Sequence, residues 1–261
     1  MAEPAVRTSR SFVDWLFPRF CLGCDEALGR GSAPLLLCPL CRGRMRPVAS
    51  RSHCASCLRP LPELAASSLR CGACRAAPPP YERLAAAWSY QPPVDRIVHA
   101  LKFRRLDFLA AELAAEALAR VRWAELEPFD TLVPIPLPLA RRLARGFNQA
   151  ELVARELSIR LARPCRTALT RAAWFSPPQA RRSARARRHG AADRIHVRRP
   201  AEVDGRAILL VDDVVTTGET LAAAARALRR AGARRVVAFA TAATPLSRGD
   251  SDRLDSSLPR S

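Results

Sequence analysis

Two adjacent carboxylates, Asp212 and Asp213, are followed after two valines by Thr216, Thr217, Gly218, Glu219 and Thr220. Neighbouring carboxylates accept hydrogen bonds from a vicinal diol or hold a divalent cation through its waters. A turn of hydroxyls and backbone amides that opens a helix takes a phosphate, because the first-turn amides lack intrahelical partners and the helix dipole places positive charge behind them. Together the two groups fit a phosphorylated ribose. An ordinary strand-to-helix turn capped by Thr217 or Thr220 accounts for the hydroxyls, but gives no reason for two acids before them.

The flanking sequence supplies the elements such a site needs. Ile208 to Val211 is a short apolar run bounded by Gly205 and the acids, the pattern of a buried strand. After the turn, an Ala/Leu/Arg run continues as a helix until Gly232 stops it. Further back, Leu84 to Tyr90 reads as a strand, Val94 to Arg105 and Phe108 to Arg122 as helices, and Thr131 to Val133 as another short buried strand. Lys102, in the first of those helices, is placed where it can face a ligand. Pro134, Pro136 and Pro138 then rule out a continued central strand and predict a rigid loop. That loop presents Arg141, Arg142 and Arg145, three permanent cations suited to an anion or, alone, to a solvated helix surface. A helix through Leu161 follows Gly146, Asn148 and Gln149. Ile195 to Val197 reads as a short strand and Val236 to Ala240 as a core strand. This alternation of strands and helices predicts an α/β domain over 82–244 with a central, mostly parallel sheet.

Nine cysteines carry a second chemistry. Cys21 and Cys24 form a CxxC, thirteen residues intervene, and Cys38 and Cys41 form another. Cys54, Cys57, Cys71 and Cys74 repeat the pattern 33 residues later, an internal duplication. CxxC knuckles converge two thiolates on one ion, and two knuckles complete the closed tetrahedron of a structural zinc site. The repeat favours sequential pairing within residues 21–76, leaves cross-pairing between the sets open, and gives two structural zinc sites. Segments of this size bury too little apolar surface to fold unaided, and the metal supplies the missing stability. Cys165 lies outside the pattern and reads as a small packed residue.

Length and charge set the frame. The 261 residues allow a medium domain plus a small one, and 49% hydrophobic content is enough for a core. Residues 1–20 read as a tail and a short helix, with Phe12, Trp15, Leu16 and Phe17 on one side and Pro18 ending it. Ala76 to Tyr81, AAPPPY, is a proline-rich boundary, and 245–261 turns to Ser, Asp and Arg and reads as a disordered tail. No apolar stretch is long enough to cross a bilayer and no leader pattern opens the chain, which predicts a cytoplasmic protein. The formal net charge is +19, and falls to about +15 once two four-thiolate zinc sites are counted. From Leu139 to Arg199 sixteen arginines face only Glu151, Glu156 and Asp193, which points to a polyanion, although arginine in place of lysine throughout also reads as coding bias.

The stretch from Ala207 to Gly232 closely resembles the signature of type I phosphoribosyltransferases that binds 5-phosphoribosyl 1-pyrophosphate (PRPP). Joined to the paired CxxC knuckles, HALKFR, LVPIPLPLARRLARGFNQAEL, PPQA and LLVDDVVTTGETL, it is similar to the ComF family, in unbroken order over roughly residues 12 to 243. The resemblance implies a double zinc ribbon followed by a type I phosphoribosyltransferase fold, linked to uptake of transforming DNA. It implies PRPP bound with Mg²⁺ by Asp212, Asp213, Val214, Thr216, Thr217, Gly218, Glu219 and Thr220. The acids would hold the ribose 2′ and 3′ hydroxyls, the loop from Thr216 to Thr220 the 5′-phosphate, and Pro134 to Gly146 would be the pyrophosphate loop. Arg141, Arg142 and Arg145 would act with the acids on the reaction. A mobile flap would lie between Arg171 and Ile195, where Gln179, Ala180, Ser183 and Arg187 match the family but Gly190 and Arg182 do not.

The resemblance implies PRPP, single-stranded DNA and competence helicase machinery as partners. A phosphoribosyltransferase of open acceptor, in DNA uptake or nucleoside metabolism, stands beside two alternatives: an inactive single-stranded-DNA-binding protein and a PRPP sensor. No base-specificity segment and no helix-turn-helix are visible.

Overall fold

The computed structural model describes residues 18–29, 33–48, 53–61, 69–171 and 195–244. The expected N-terminal helix, the C-terminal tail and the flap with Gln179, Ala180, Arg181, Arg182, Ser183, Arg185, Arg187, Arg188 and Gly190 lie outside them.

Four parallel strands form the central sheet, in the order β1 (Leu84–Ser89), β6 (Arg235–Ala243), β5 (Ala207–Val215), β2 (Thr131–Pro134). The middle strands are unbroken apolar runs because both of their faces are covered. Leu209, Val211, Val237 and Phe239 pack toward α3 (Val94–Phe103), α4 (Leu109–Arg120) and α6 (Gln149–Leu161). Their alternates Ile208, Leu210, Val236 and Ala238 pack toward α7 (Glu219–Arg230), through Leu221, Ala224 and Leu228. A small antiparallel ribbon of β3 (Leu169–Arg171) and β4 (Ile195–Val197) lies on that second face.

Three boundaries differ from the sequence reading. β5 does not stop before the acids but runs through them to Val215, because β6 stays in register up to Val215 opposite Ala243. Pro134 ends β2 inside the ladder, which a proline tolerates because β2 is the edge strand. Beyond Pro138 the expected loop is a helix, α5 (Leu139–Arg145), with every residue through Ala144 exposed and Gly146 closing it at φ 82°. Its Ala, Leu and Arg residues are strong helix formers, and the three prolines end just before it.

The zinc-binding region covers the free edge of the sheet. The Val48 and Ser89 amides donate to the Ala87 and Arg46 carbonyls at 3.2 and 2.9 Å, and the Leu84 amide to the Ala55 carbonyl at 2.8 Å. Leu22, Leu35, Leu37 and Met45 join the same core as α3 and α4. The Leu35 amide donates to Glu112 of α4, and Arg42 pairs with Glu116 one turn on. Two short helices, α1 (Pro39–Gly43) and α2 (Gly72–Ala76), carry the second knuckle of each set. The AAPPPY stretch that follows α2 is therefore not the only tie between ribbon and sheet. Covering an edge strand in this way removes a template for unwanted pairing.

At the amino end of the strands the arginines are structural. Arg229 and Arg235 reach Glu82 at 3.1 and 2.8 Å, and Arg235 also donates to the Leu126 and Pro128 carbonyls. Arg234 pairs with Asp130 at 3.1 Å, and the same carboxylate accepts the Ala207 amide at 2.7 Å. That amide, then Arg234, hold the Asp130 carboxyl below its ordinary range in spite of some burial. Part of the arginine content is spoken for at this end.

Candidate functional site

The acids sit at the carboxyl end of a central strand, where open α/β sheets place their ligands. Because β5 runs through them, strand alternation sends the two carboxylates to different neighbours. Asp213 follows Leu209 and Val211 toward the face of α3, and there the Lys102 ammonium lies 2.7 Å from its Oδ2. Its Oδ1 accepts the Val214 amide at 2.7 Å. Asp212 follows Ile208 and Leu210 toward the other face and is 8% exposed, with Oδ1 accepting the Asp213 amide at 2.8 Å.

Burial pushes the Asp212 carboxyl well above its ordinary value, and the neighbouring Asp213 charge adds to the effect. The Asp213 amide and Lys102 act against both. A buried carboxylate beside a second one is costly unless hydrogen-bond donors complete it, and a sugar diol is a suitable pair of donors.

After Val215 the chain turns through Thr216 to Gly218 into α7. Gly218 is the cap, at φ 76°, a left-handed conformation that favours glycine. A Cβ there would also lie 3.3 Å from the Tyr81 hydroxyl. Thr217 Oγ1 faces the Glu219 amide at 3.5 Å. Helix α7 is three turns long, so its dipole and first-turn amides are aimed at the space beyond the acids.

Of the three loop arginines, the structure ties Arg145 most firmly. Its Nη1 donates to Gln149 Oε1 at 3.2 Å, and its guanidinium stacks 4.8 Å from the Phe103 ring centroid, next in sequence to Lys102. Arg142 lines a cleft of about 160 Å³ with Pro134, Pro136, Asn148 and Arg171. Asn148 caps α6 through the Ala150 amide and donates to the Ile135 carbonyl at 2.8 Å, which fixes the loop to the strand end. Arg141 is exposed. Burial lowers the Arg171 value; the Arg141 charge lowers it further and Asp212 raises it, so those three groups feel one another across the site.

Three residues of this site are absent from the set inferred from sequence or only glimpsed there. Arg171 carries no sequence cue, being one of many arginines, and only β3 brings it within electrostatic reach of Asp212. Tyr81 ended the proline-rich boundary and proves buried against the Gly218 turn, its phenol pushed up by burial. Lys102, expected to face a ligand, lies against Asp213, one of the two acids of the site. Its being the one lysine in the chain was the available signal.

The eight cysteines of the repeat form two clusters, Cys21/Cys24/Cys38/Cys41 and Cys54/Cys57/Cys71/Cys74, with the sulfurs of each within 4.8 Å of one another. Pairing is thus sequential. Amides of Gly23 and Cys38 point at Cys21 Sγ and that of Cys71 at Cys54 Sγ, each at 3.3 Å, donors suited to thiolates. Four sulfurs leave no coordination position for water, so the donor set fits structural zinc. Cys165 is partly buried against the main core, with its thiol pushed up to about 11 by burial. A separate cleft of about 560 Å³ between ribbon and sheet is lined by His53, Leu58, Arg83 and Arg122, at the amino end of β1 and away from the acids. Among the described residues no helix is long and apolar enough to cross a membrane.

Comparison with known proteins agrees with both halves. Residues 12–75 match the double zinc ribbon domain model and residues 132–259 the phosphoribosyl transferase domain model. DNA utilization protein YhgH of Escherichia coli K12 is 34% identical over 230 residues, covering 84% of this chain and 94% of that protein. Competence protein F of Haemophilus influenzae is 27% identical over 212 residues, covering 79% and 91%. A 40-residue match, 15% of this chain and 12% of the other, is 52% identical to the ribose-phosphate pyrophosphokinase of Parasynechococcus marenigrum. With a zinc ribbon, a phosphoribosyltransferase-type sheet and relatives of this extent, the chain belongs to the ComF family.

Proposed function

We propose that this protein binds PRPP with Mg²⁺ at the carboxyl end of its sheet and serves the handling of DNA taken up by the cell. The observation that carries the reading is the pair Asp212/Asp213 at the end of β5, one strand-to-helix turn from the amino terminus of α7. The acids accept the ribose hydroxyls, and Thr216 to Thr220 take the 5′-phosphate. Arg141, Arg142 and Arg145 face the pyrophosphate from α5. Displacement of pyrophosphate from C1 by a nitrogen nucleophile passes through an oxocarbenium-like state that asks the protein for alignment and charge rather than for an acid or base. Mg²⁺ arriving on the pyrophosphate supplies neutralising charge to the leaving group. The acceptor is left open, and the reading rests on binding.

PRPP with Mg²⁺ is expected to raise the melting temperature by several degrees at a hundredfold excess over its dissociation constant, about 2.7 kcal/mol of linkage. Ribose 5-phosphate, lacking the pyrophosphate, should give a smaller shift. Equal shifts from both ligands, or none from PRPP, would contradict the reading.

A second reading, single-stranded DNA binding, is favoured by the net charge of +19 and by the names of the two long relatives. It requires affinity that falls steeply between low and moderate salt in an anisotropy titration with an oligonucleotide. No binding at low salt would end it.

A further inference from the structure

The chain holds 43 lysine and arginine residues, and Lys102 is the only lysine among them. Whatever drives arginine into every other basic position has spared this one. Its Nζ lies 2.7 Å from Asp213 Oδ2, both side chains are about four-fifths buried, and its charge reaches Asp212 as well. Three of the four oxygens of the acid pair therefore have donors: Asp212 Oδ1, Asp213 Oδ1 and Asp213 Oδ2.

An ammonium differs here from a guanidinium in a way that matters for a sugar. Guanidinium is a planar fork that covers a carboxylate edge with two parallel bonds; ammonium is a compact point charge that touches one oxygen. Lone pairs on that oxygen and its partner stay available for further donors. Arginine at the same place would cover the edge that the ribose hydroxyls need. A positive point charge held on Asp213 and felt by Asp212 is also what a divalent ion on the pair would supply.

We propose that Lys102 is the positioning residue of the ribose site, holding Asp213 by one oxygen with its edge open to the diol and standing in for a metal ion on the acids themselves. The inference rests on the PRPP reading above. Its consequence is that Mg²⁺ enters the site on the pyrophosphate and not on Asp212 or Asp213.

Calorimetric titration of the full, zinc-loaded chain with Mg·PRPP and, separately, with Mg·pyrophosphate tests this on wild type, Lys102→Met and Lys102→Arg, with melting temperature and zinc content as controls. Lys102→Met is expected to weaken PRPP at least about tenfold, the scale of one charge-assisted contact, while pyrophosphate changes by less than about twofold. Lys102→Arg should lose PRPP similarly, since charge is restored but the open edge is not. Unchanged PRPP affinity in the methionine variant would overturn the proposal. Equal loss of both ligands would show a general charge effect and overturn it too, and so would wild-type affinity in the arginine variant, which decides alone if the methionine variant does not fold. Wild type failing to bind PRPP removes the reading beneath it; wild type binding beside an unaffected methionine variant removes only the role of Lys102.

Discussion

Cys41→Ser is expected to lower the melting temperature of the whole chain by about 10 °C or more, and Cys74→Ser by less than about half as much. The two zinc sites are duplicates in sequence but not in packing. Cys21 and Cys41 are buried in the main core, in one cluster with Leu22, Leu35, Leu37 and Met45 and with Leu109 and Leu113 of α4. Even the knuckle is tight there: a Cβ on Gly23 would lie 2.6 Å from Cys41 Sγ. Cys54, Cys71 and Cys74 form a small cluster of their own with Cys57 and Leu61. Losing the first metal loosens the support of α4 and the Val48 and Ser89 bonds on β1; losing the second loosens its own knuckles and the single bond from Leu84 to Ala55. Thermal unfolding followed by circular dichroism, with zinc counted before melting, reads the difference. Equal shifts for two variants that have each lost one zinc would show the packing asymmetry to be irrelevant.

The second large effect is a dissociation of stability from binding at Asp212. Its carboxyl titrates above its ordinary value in the folded protein, because it is buried beside Asp213. An unfolded aspartate releases its proton near pH 4, at about 3.9. As pH rises from there to the folded value, the unfolded chain sheds this proton more readily, so stability falls through that window and the full cost stands above it. Asp212→Asn removes the cost and keeps the shape. At neutral pH the variant is expected to melt about 2 to 4 °C higher than wild type, and to show no gain near pH 3. It should at the same time lose PRPP, because asparagine offers one acceptor where the diol needs a charged pair. A variant that binds less while melting lower would instead point to ordinary structural damage.

How far the sequence reached depends on which interactions carried the information. The cysteine knuckles were readable with their pairing favoured, because ligand spacing and duplication are local properties of the sequence, and the four sulfurs of each set do come together. The central strands and α7 were readable because burial on both faces leaves an unbroken apolar run. The end of β5 was not: whether Asp212 and Asp213 lie in a strand or after it is decided by the partner β6, where Asp212 pairs with Ala240, 28 residues on, and nothing in the acids themselves says so. Helix α5 stands in the sequence only as the alternative in which its arginines are solvated helix surface, because the three prolines before it dominate the local reading in favour of a loop. Arg171 was invisible for the opposite reason. Its type is too common in this chain to signal anything until β3 sets it within electrostatic reach of Asp212. Outside the Leu139 to Arg199 stretch read as a polyanion face, Arg83, Arg229, Arg234 and Arg235 are latches on Glu125, Glu82 and Asp130, a use that counting charges does not show.

The central claim is that Asp212 and Asp213 hold the ribose of PRPP, and calorimetric titration of the zinc-loaded chain with PRPP and Mg²⁺, wild type against Asp212→Asn/Asp213→Asn, tests it most directly. The account predicts saturable binding near one PRPP per wild-type chain and an affinity at least about 100-fold weaker in the double variant, the worth of two charge-assisted hydrogen bonds. Wild type showing no heat of binding, or the double variant binding as wild type does, would contradict it.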